Sequence, residues 1–318
     1  MSERRVAITG AGPVSAIGTG REMFFAALAD GESGVAPLTL FDVEGVTAAE
    51  IADFNVEDYL ETPKTYLDRS SEFAFAAASL AIEDAGLDVD NIDRPRTGLT
   101  LGSAYGSLGT MELFFRDVLD KGPKFAKPFL FPHTYPNTAI SLLAIEYGLT
   151  GPHLNFAAGH VSAANAVIAG YDMIRAGQAD MVLAGGYESL SEALLKAYTL
   201  ADAPDPGDGI AIGEGAGIVV LEELEHANAR EVHIYAELAG AALGSRAGEM
   251  KPGQAVTIDV RRMIGETMGA GAALHVIAAL KRIEDGADSA LVKSLDPGGA
   301  TAAILLRGQS PFPASPTP

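Results

Sequence analysis

Six histidines, 42 acidic side chains, 22 basic ones and no cysteine are what this chain of 318 residues brings to chemistry. The absence of cysteine removes disulfides, thiolate metal sites and a cysteine nucleophile together. The histidines (133, 153, 160, 226, 233 and 275) show neither H-x-x-x-H nor H-x-H spacing, so the sequence predicts no metal site. His160 and Ser162, in Gly159-His-Val-Ser162, stand between an apolar run (153–158) and a helix-like pattern (162–177). A helix N-terminus there would aim its dipole at whatever the turn holds. Ser162 occupies the place of a nucleophile elbow, but Ala164 replaces the second glycine that G-x-S-x-G requires. Gly10-Ala-Gly12-Pro-Val-Ser15 is half of a dinucleotide fingerprint, interrupted by Pro13 and lacking the third glycine. Gly213-Glu-Gly-Ala-Gly217 has no phosphate-binding lysine after it and reads as a turn opening a strand.

The elements that must position these residues follow from the hydrophobic pattern. Short apolar runs at 4–10, 97–103, 153–158, 179–186, 216–224, 232–240, 255–260 and 301–308 alternate with helical patterns, which predicts an α/β fold with largely buried strands. The clearest helix is 70–86, with a serine N-cap, an alanine-rich body and a glycine stop. The helix at 162–177 has no polar face before Asp172 and belongs in the interior. The stretch from Tyr147 to Tyr171 carries no Asp, Glu, Lys or Arg, but its glycines, Pro152 and His153 rule against a membrane span, so it reads as buried core. Hydrophobic residues make up 48% of the chain, and the formal charge is −20. Such a field repels DNA, RNA and anionic membranes, so nucleic-acid and membrane-surface partners are not expected. The N-terminus goes straight into a strand-like run without a signal-peptide pattern, which predicts a cytoplasmic protein.

In order along the chain, RRVAITGAGPVSAIGTG, GPHLNFAAGHVSAANAV, ADMVLAGGYES, DGIAIGEGAGIVVLEELEHANAR and SLDPGGATAAILLRG resemble five motifs of the ketosynthase branch of the thiolase superfamily, the condensing enzymes of fatty-acid and polyketide synthesis. The resemblance covers nearly the whole chain. It implies a thiolase-like, five-layered αβαβα fold of two pseudo-repeated halves, residues 1–230 and a shortened 231–309, followed by a tail at 310–318.

Departures from the family pattern carry the functional expectation. The family's nucleophilic cysteine falls on His160. Its Lys-x-x-x-Gly-His motif becomes Arg261-Arg-Met-Ile-Gly265-Glu266, so lysine is arginine and histidine is glutamate. A second catalytic histidine lies in a segment that looks deleted, since 243–259 contains no histidine, and the gating phenylalanine falls on Pro297. Loss of every group needed for acyl transfer implies a noncatalytic paralogue. The resemblance supplies one, the chain-length factor of type II polyketide synthases, which pairs with a catalytic ketosynthase as a heterodimer and shapes the acyl tunnel. Tyr105, Leu113 and Leu130 are the residues expected to line that tunnel. An acidic acyl carrier protein bearing the polyketide chain would dock mainly on the partner, because the charge of −20 repels it. No cofactor is expected. The alternative is an atypical condensing or decarboxylating enzyme using His160 or Ser162, against which stands the lack of a carboxylate partner for His160 in the sequence.

Overall fold

The computed structural model describes residues 4–43, 45–200, 209–244 and 254–308. The chain opens with β1 (Val6–Ser15), β2 (Gly18–Thr19) and α1 (Arg21–Asp30), then β3 (Ala36–Pro37), β4 (Thr47–Ala49) and α2 (Arg69–Asp84). It continues through β5 (Thr97–Gly102), α3 (Leu108–Lys121), α4 (Thr138–Glu146), β6 (His153–Phe156), α5 (Ser162–Arg175), β7 (Met181–Glu188) and α6 (Glu192–Leu200). After it come β8 (Ile212–Gly213), β9 (Gly215–Glu223), α7 (Leu224–Ala229), β10 (Ala236–Leu243), β11 (Val256–Ile258), α8 (Arg261–Ile264), α9 (Gly271–Glu284), β12 (Ser289–Leu295) and β13 (Thr301–Arg307).

The principal sheet runs β11-β12-β13-β10-β1-β9-β7-β5-β6, with β2 folded back on β1, and a small second sheet joins β3, β4 and β8. Every residue of β1 is buried, as expected of a strand flanked on both edges and covered on both faces. It pairs with β9 along its whole length but with β10 only through Ala7↔Glu237 and Ile8↔Ala236. The two halves of the sheet meet at that short junction.

Helices cover the first half on both sides. On one face α2 packs against β1, β9 and β7, and Gly10 and Gly12 make that approach possible. A Cβ on Gly12 would lie 1.9 Å from the Ala77 carbonyl oxygen and one on Gly10 2.4 Å from that of Ala81. The paired glycines therefore seat a helix against a strand that continues through Pro13 to Ser15. On the other face α5 covers β5 and β7, while α9 covers β9 and reaches across to β12. These two helices lie between the two halves of the sheet. Both also pack against strands of the second half of the sheet, α5 on β10 and β13 and α9 on β11, β12 and β13.

Six of the eight apolar runs fall on strands of six or more residues, one on the four-residue β6 and one on the three-residue β11. Other expectations fail for identifiable reasons. The cap of α2 is Asp68, whose Oδ1 accepts from the Ser70 N–H at 2.9 Å. The charge-free stretch is not uniformly buried: β6 is an edge strand paired only with β5, and Leu154 is 44% exposed. β12 escapes the pattern because Lys293 and two serines dilute its apolar run. The tail at 310–318, the loop 202–208 and most of the histidine-free segment (245–253) lie outside the described residues. No helix among the described residues is long and apolar enough to cross a membrane.

Candidate functional site

The chain leaves β6 and reverses at Gly159, whose φ of 65° lies in the left-handed region favoured by glycine. A single turn (Gly159–Val161) then leads into α5. Gly102 lets this junction sit directly on β5, since a Cβ there would stand 2.3 Å from the Ser162 carbonyl carbon. Ser162 is fully buried. Its hydroxyl accepts from the Ala158 N–H at 2.9 Å and lies 2.6 Å from the Gly159 carbonyl and 3.1 Å from that of Ser103. That oxygen fastens the turn from inside the fold.

His160 does have a carboxylate partner, contrary to the sequence expectation. Its Nδ1 stands 3.6 Å from Glu266 Oε1. Glu266 is brought there by its backbone, which bridges to Ile212 and donates its N–H to the Ala211 carbonyl at 2.7 Å. Arg261 links this pair to a second one: its Nη1 is 3.7 Å from Glu266 Oε2 and its Nη2 2.7 Å from Asp259 Oδ2. His275 Nε2 lies 3.6 Å from Asp259 Oδ1. The neighbouring His275 and Arg261 hold the Asp259 carboxyl well below the usual carboxylate range.

The helix N-terminus itself is occupied. The His160 backbone N–H donates to Asp296 Oδ2 at 2.9 Å, and the Ser294 hydroxyl donates to the His160 carbonyl at 2.9 Å. Asp296 belongs to the tight turn joining β12 to β13, closed by bonds from its own N–H to the Ala300 carbonyl and from the Gly298 N–H to its Oδ1. A Cβ on Gly159 would lie 2.0 Å from Asp296 Oδ2, so glycine is needed there for this contact as well as for its φ. An internal carboxylate thus takes a donor that a developing oxyanion would need.

His160, Arg261, Glu266 and Pro297 all line one cavity of about 1060 Å³. The structure therefore gathers the four departures from the family pattern into a single site. It does not gather the three tunnel candidates. Leu113 lines a separate cavity of about 230 Å³, whereas Tyr105 and Leu130 line neither. Leu130 is buried, while Tyr105 and Leu113 are half exposed. Among the described residues no group of three or more His, Asp or Glu is placed to hold a metal ion.

Two buried carboxylates went unnoticed in the sequence. Glu214, in the glycine-rich turn before β9, is bound by Arg69 at the start of α2, with Nη2 2.6 Å from Oε1 and Nε 3.0 Å from Oε2. Glu188, the last residue of β7, is fully buried and accepts from the N–H groups of Ala104, Tyr105 and Gly269 and from the Ser103 hydroxyl. Burial outweighs those donors and pushes the Glu188 carboxyl from 4.5 up to about 8. Because the raised value belongs to the folded state, the folded chain binds the extra proton between those limits and loses stability as pH rises through them. Between pH 6 and pH 8 the loss should be about 2–3 kcal/mol, at about 1.4 kcal/mol per unit. Glu188→Gln should flatten that slope in urea unfolding; an unchanged slope would mean that Glu188 stays ionised in the fold.

Residues 3–227 match the model of the beta-ketoacyl synthase N-terminal domain, and the chain belongs to that family. Among curated relatives it is 35% identical over 272 residues to 3-oxoacyl-(acyl-carrier-protein) synthase 2 of Coxiella burnetii, a match covering 79% of this chain and 65% of the relative. The enzyme of that name from Staphylococcus aureus is 32% identical over 256 residues, with 74% and 62% covered. The chain thus spans a little under two thirds of the length of these relatives. The fold is that of the ishigamide ketosynthase/chain length factor, with a TM-score of 0.90, 26% identity, and 97% of this chain and 100% of that one covered. A type II PKS acyl-carrier protein in complex with its ketosynthase bound to the hexaketide gives a TM-score of 0.84 at 19% identity, covering 96% and 100%.

Proposed function

We propose that this chain is a chain-length factor of a type II polyketide synthase, a noncatalytic subunit that pairs with a ketosynthase and shapes its acyl tunnel. One observation carries the reading: where the family's nucleophile would stand, the chain has His160 facing Glu266, with its backbone N–H bound to Asp296. A thiol, a free oxyanion donor and a histidine base are replaced by an imidazole and two carboxylates. The rival enzymatic reading gains a partner for His160 in Glu266, but it loses Ser162 to burial and the anion site to Asp296. Similarity to the ishigamide ketosynthase/chain length factor supports the same choice.

Pairing has material to work with. On α3, Leu113, Phe115 and Leu119 are all more than half exposed, and Phe125 and Phe129 follow in the next segment. Large apolar side chains exposed together along one segment mark interaction sites. The open edge of β6 offers unpaired backbone groups as well. Acyl carrier protein would then dock mainly on the ketosynthase, given the charge of −20 on this subunit. Leu113 remains the tunnel residue with a cavity beside it. Co-expression with a type II polyketide ketosynthase tests the proposal. The pair should co-purify at one to one, and Phe115→Glu with Leu119→Glu should separate it. A monodisperse monomer that ignores the ketosynthase in gel filtration would overturn the assignment.

A further inference from the structure

The cavity of about 1060 Å³ has a buried end and a rim. Leu195, Met268 and Ala272, which line it, are buried. Lys293, Leu295 and Pro297 line it too, yet they are exposed. Residues that face both a cavity and the solvent stand where the one opens to the other. All three lie on the end of β12 and the turn that joins it to β13.

That turn is fastened by one residue of the opposite half. Asp296 Oδ1 accepts from the Gly298 N–H at 2.7 Å, which shapes the turn itself. Its Oδ2 accepts from the His160 N–H at 2.9 Å, across 136 positions of sequence, and the Ser294 hydroxyl donates to the carbonyl of the same residue at 2.9 Å. The end of β12 thus grips the His160 backbone at both its donor and its acceptor. The turn Gly159–Val161 and α5 after it have no capping side chain at their own N-caps, Ala158 and Val161, so the charged acceptor comes from the second half of the sheet. Residues 297–300 are all exposed, and a Cβ on Gly299 would meet nothing within 4 Å. Packing does little to hold this turn, which leaves its attachment to the two bonds at His160.

We infer that the β12–β13 turn is a lid on this cavity and that Asp296 is the latch holding it shut. Closed, the carboxylate keeps the end of β12 against the start of α5. Released, the turn swings about the end of the β12–β13 ladder, where Leu295 pairs with Thr301, and Gly298 and Gly299 supply the backbone freedom. Access to the buried end of the cavity is then set by one carboxylate in the turn, which does not itself line the cavity. The lid is a property of this chain by itself, so its failure and a failure to pair with a ketosynthase are separate results.

The chain has no cysteine, so one introduced thiol reports on one place. Ala272→Cys puts it at the buried end of the cavity, on α9, and Thr257→Cys puts it on the exposed β11 at the rim. Iodoacetamide, small and uncharged, is the probe, and urea unfolding checks that each variant compared is folded. Added to Ala272→Cys, Asp296→Ala removes the acceptor of the His160 N–H and should raise the alkylation rate about tenfold or more. Asp296→Asn keeps an acceptor oxygen and should change the rate much less. The rim thiol of Thr257→Cys should react equally in all three backgrounds. In the unaltered chain the His160 N–H should exchange with solvent through a local opening, faster than the β1 amides and insensitive to low concentrations of urea. Equal alkylation of Ala272→Cys with and without Asp296 would overturn the inference. So would exchange of the His160 N–H only at the rate of global unfolding, since the turn would then never lift.

Discussion

Replacing His160 by cysteine is expected to leave the chain inert toward acyl carrier protein thioesters. A thiol placed there would face the Glu266 carboxylate that now stands 3.6 Å from the imidazole. A neighbouring negative charge disfavours the thiolate, and each unit by which it raises the thiol lowers the reactive fraction about tenfold. The tetrahedral oxyanion would also find the backbone N–H at that position bound to Asp296 Oδ2. Losing one such donor costs about 10²–10³ in rate. Together these leave His160→Cys about three orders of magnitude or more below a working site. Mass spectrometry after incubation with acyl-loaded carrier protein should find no adduct on the wild type or on His160→Cys. Adding Glu266→His and Asp296→Ala, which removes the acceptor that now holds that N–H, should allow labelling of the new thiol. Rapid acylation of the single variant would show that the two carboxylates do not block the site.

The second large effect concerns stability. Glu214 is completely buried, and besides Arg69 it accepts from the Ile51 and Leu190 N–H groups at 2.9 and 3.0 Å. Arg69 also donates to the Ile51 carbonyl at 2.8 Å and lies over the Phe73 ring. One ion pair thus ties the start of α2 to the segment after β4 and to the turn before β9. Arg69→Ala strands the carboxylate in the interior, a change that costs about 3–5 kcal/mol. Replacing both charges while keeping an acceptor for the Ile51 and Leu190 N–H groups, Arg69→Met with Glu214→Gln, should recover part of that loss. Urea unfolding of the three proteins measures both effects. A loss below about 1 kcal/mol for Arg69→Ala would show that water reaches Glu214 and offsets the missing charge.

What could be read in the sequence was whatever depends on neighbours in the chain. The apolar runs that became β1, β5, β7 and β9 are continuous because those strands are buried, and α5 lacks a polar face because it lies between sheet halves. β6 looked equally apolar, yet it is an edge strand, because exposure at an edge depends on which strands are present rather than on its own residues. The resemblance located His160, Arg261, Glu266 and Pro297, and the fold placed them on one cavity. It could not foresee that Glu266 faces His160, that Asp296 takes its N–H, or that Arg69 and Glu214 pair. Each of those contacts joins residues more than a hundred positions apart. Asp296 was passed over as part of a turn, and only its hydrogen bond to the His160 backbone makes it part of the site.

The central strand also sets a schedule. All ten residues of β1 are buried, and Ser15 is paired with Gly215, two hundred residues further along the chain. At about 5–20 residues per second, a ribosome needs about 10–40 s to supply that partner strand. For that interval an apolar segment near the start of the chain has emerged without either of its neighbours. Contacts of such long sequence separation are slow to form and expose sticky intermediates. The yield of folded protein should therefore depend on what shelters β1 during synthesis.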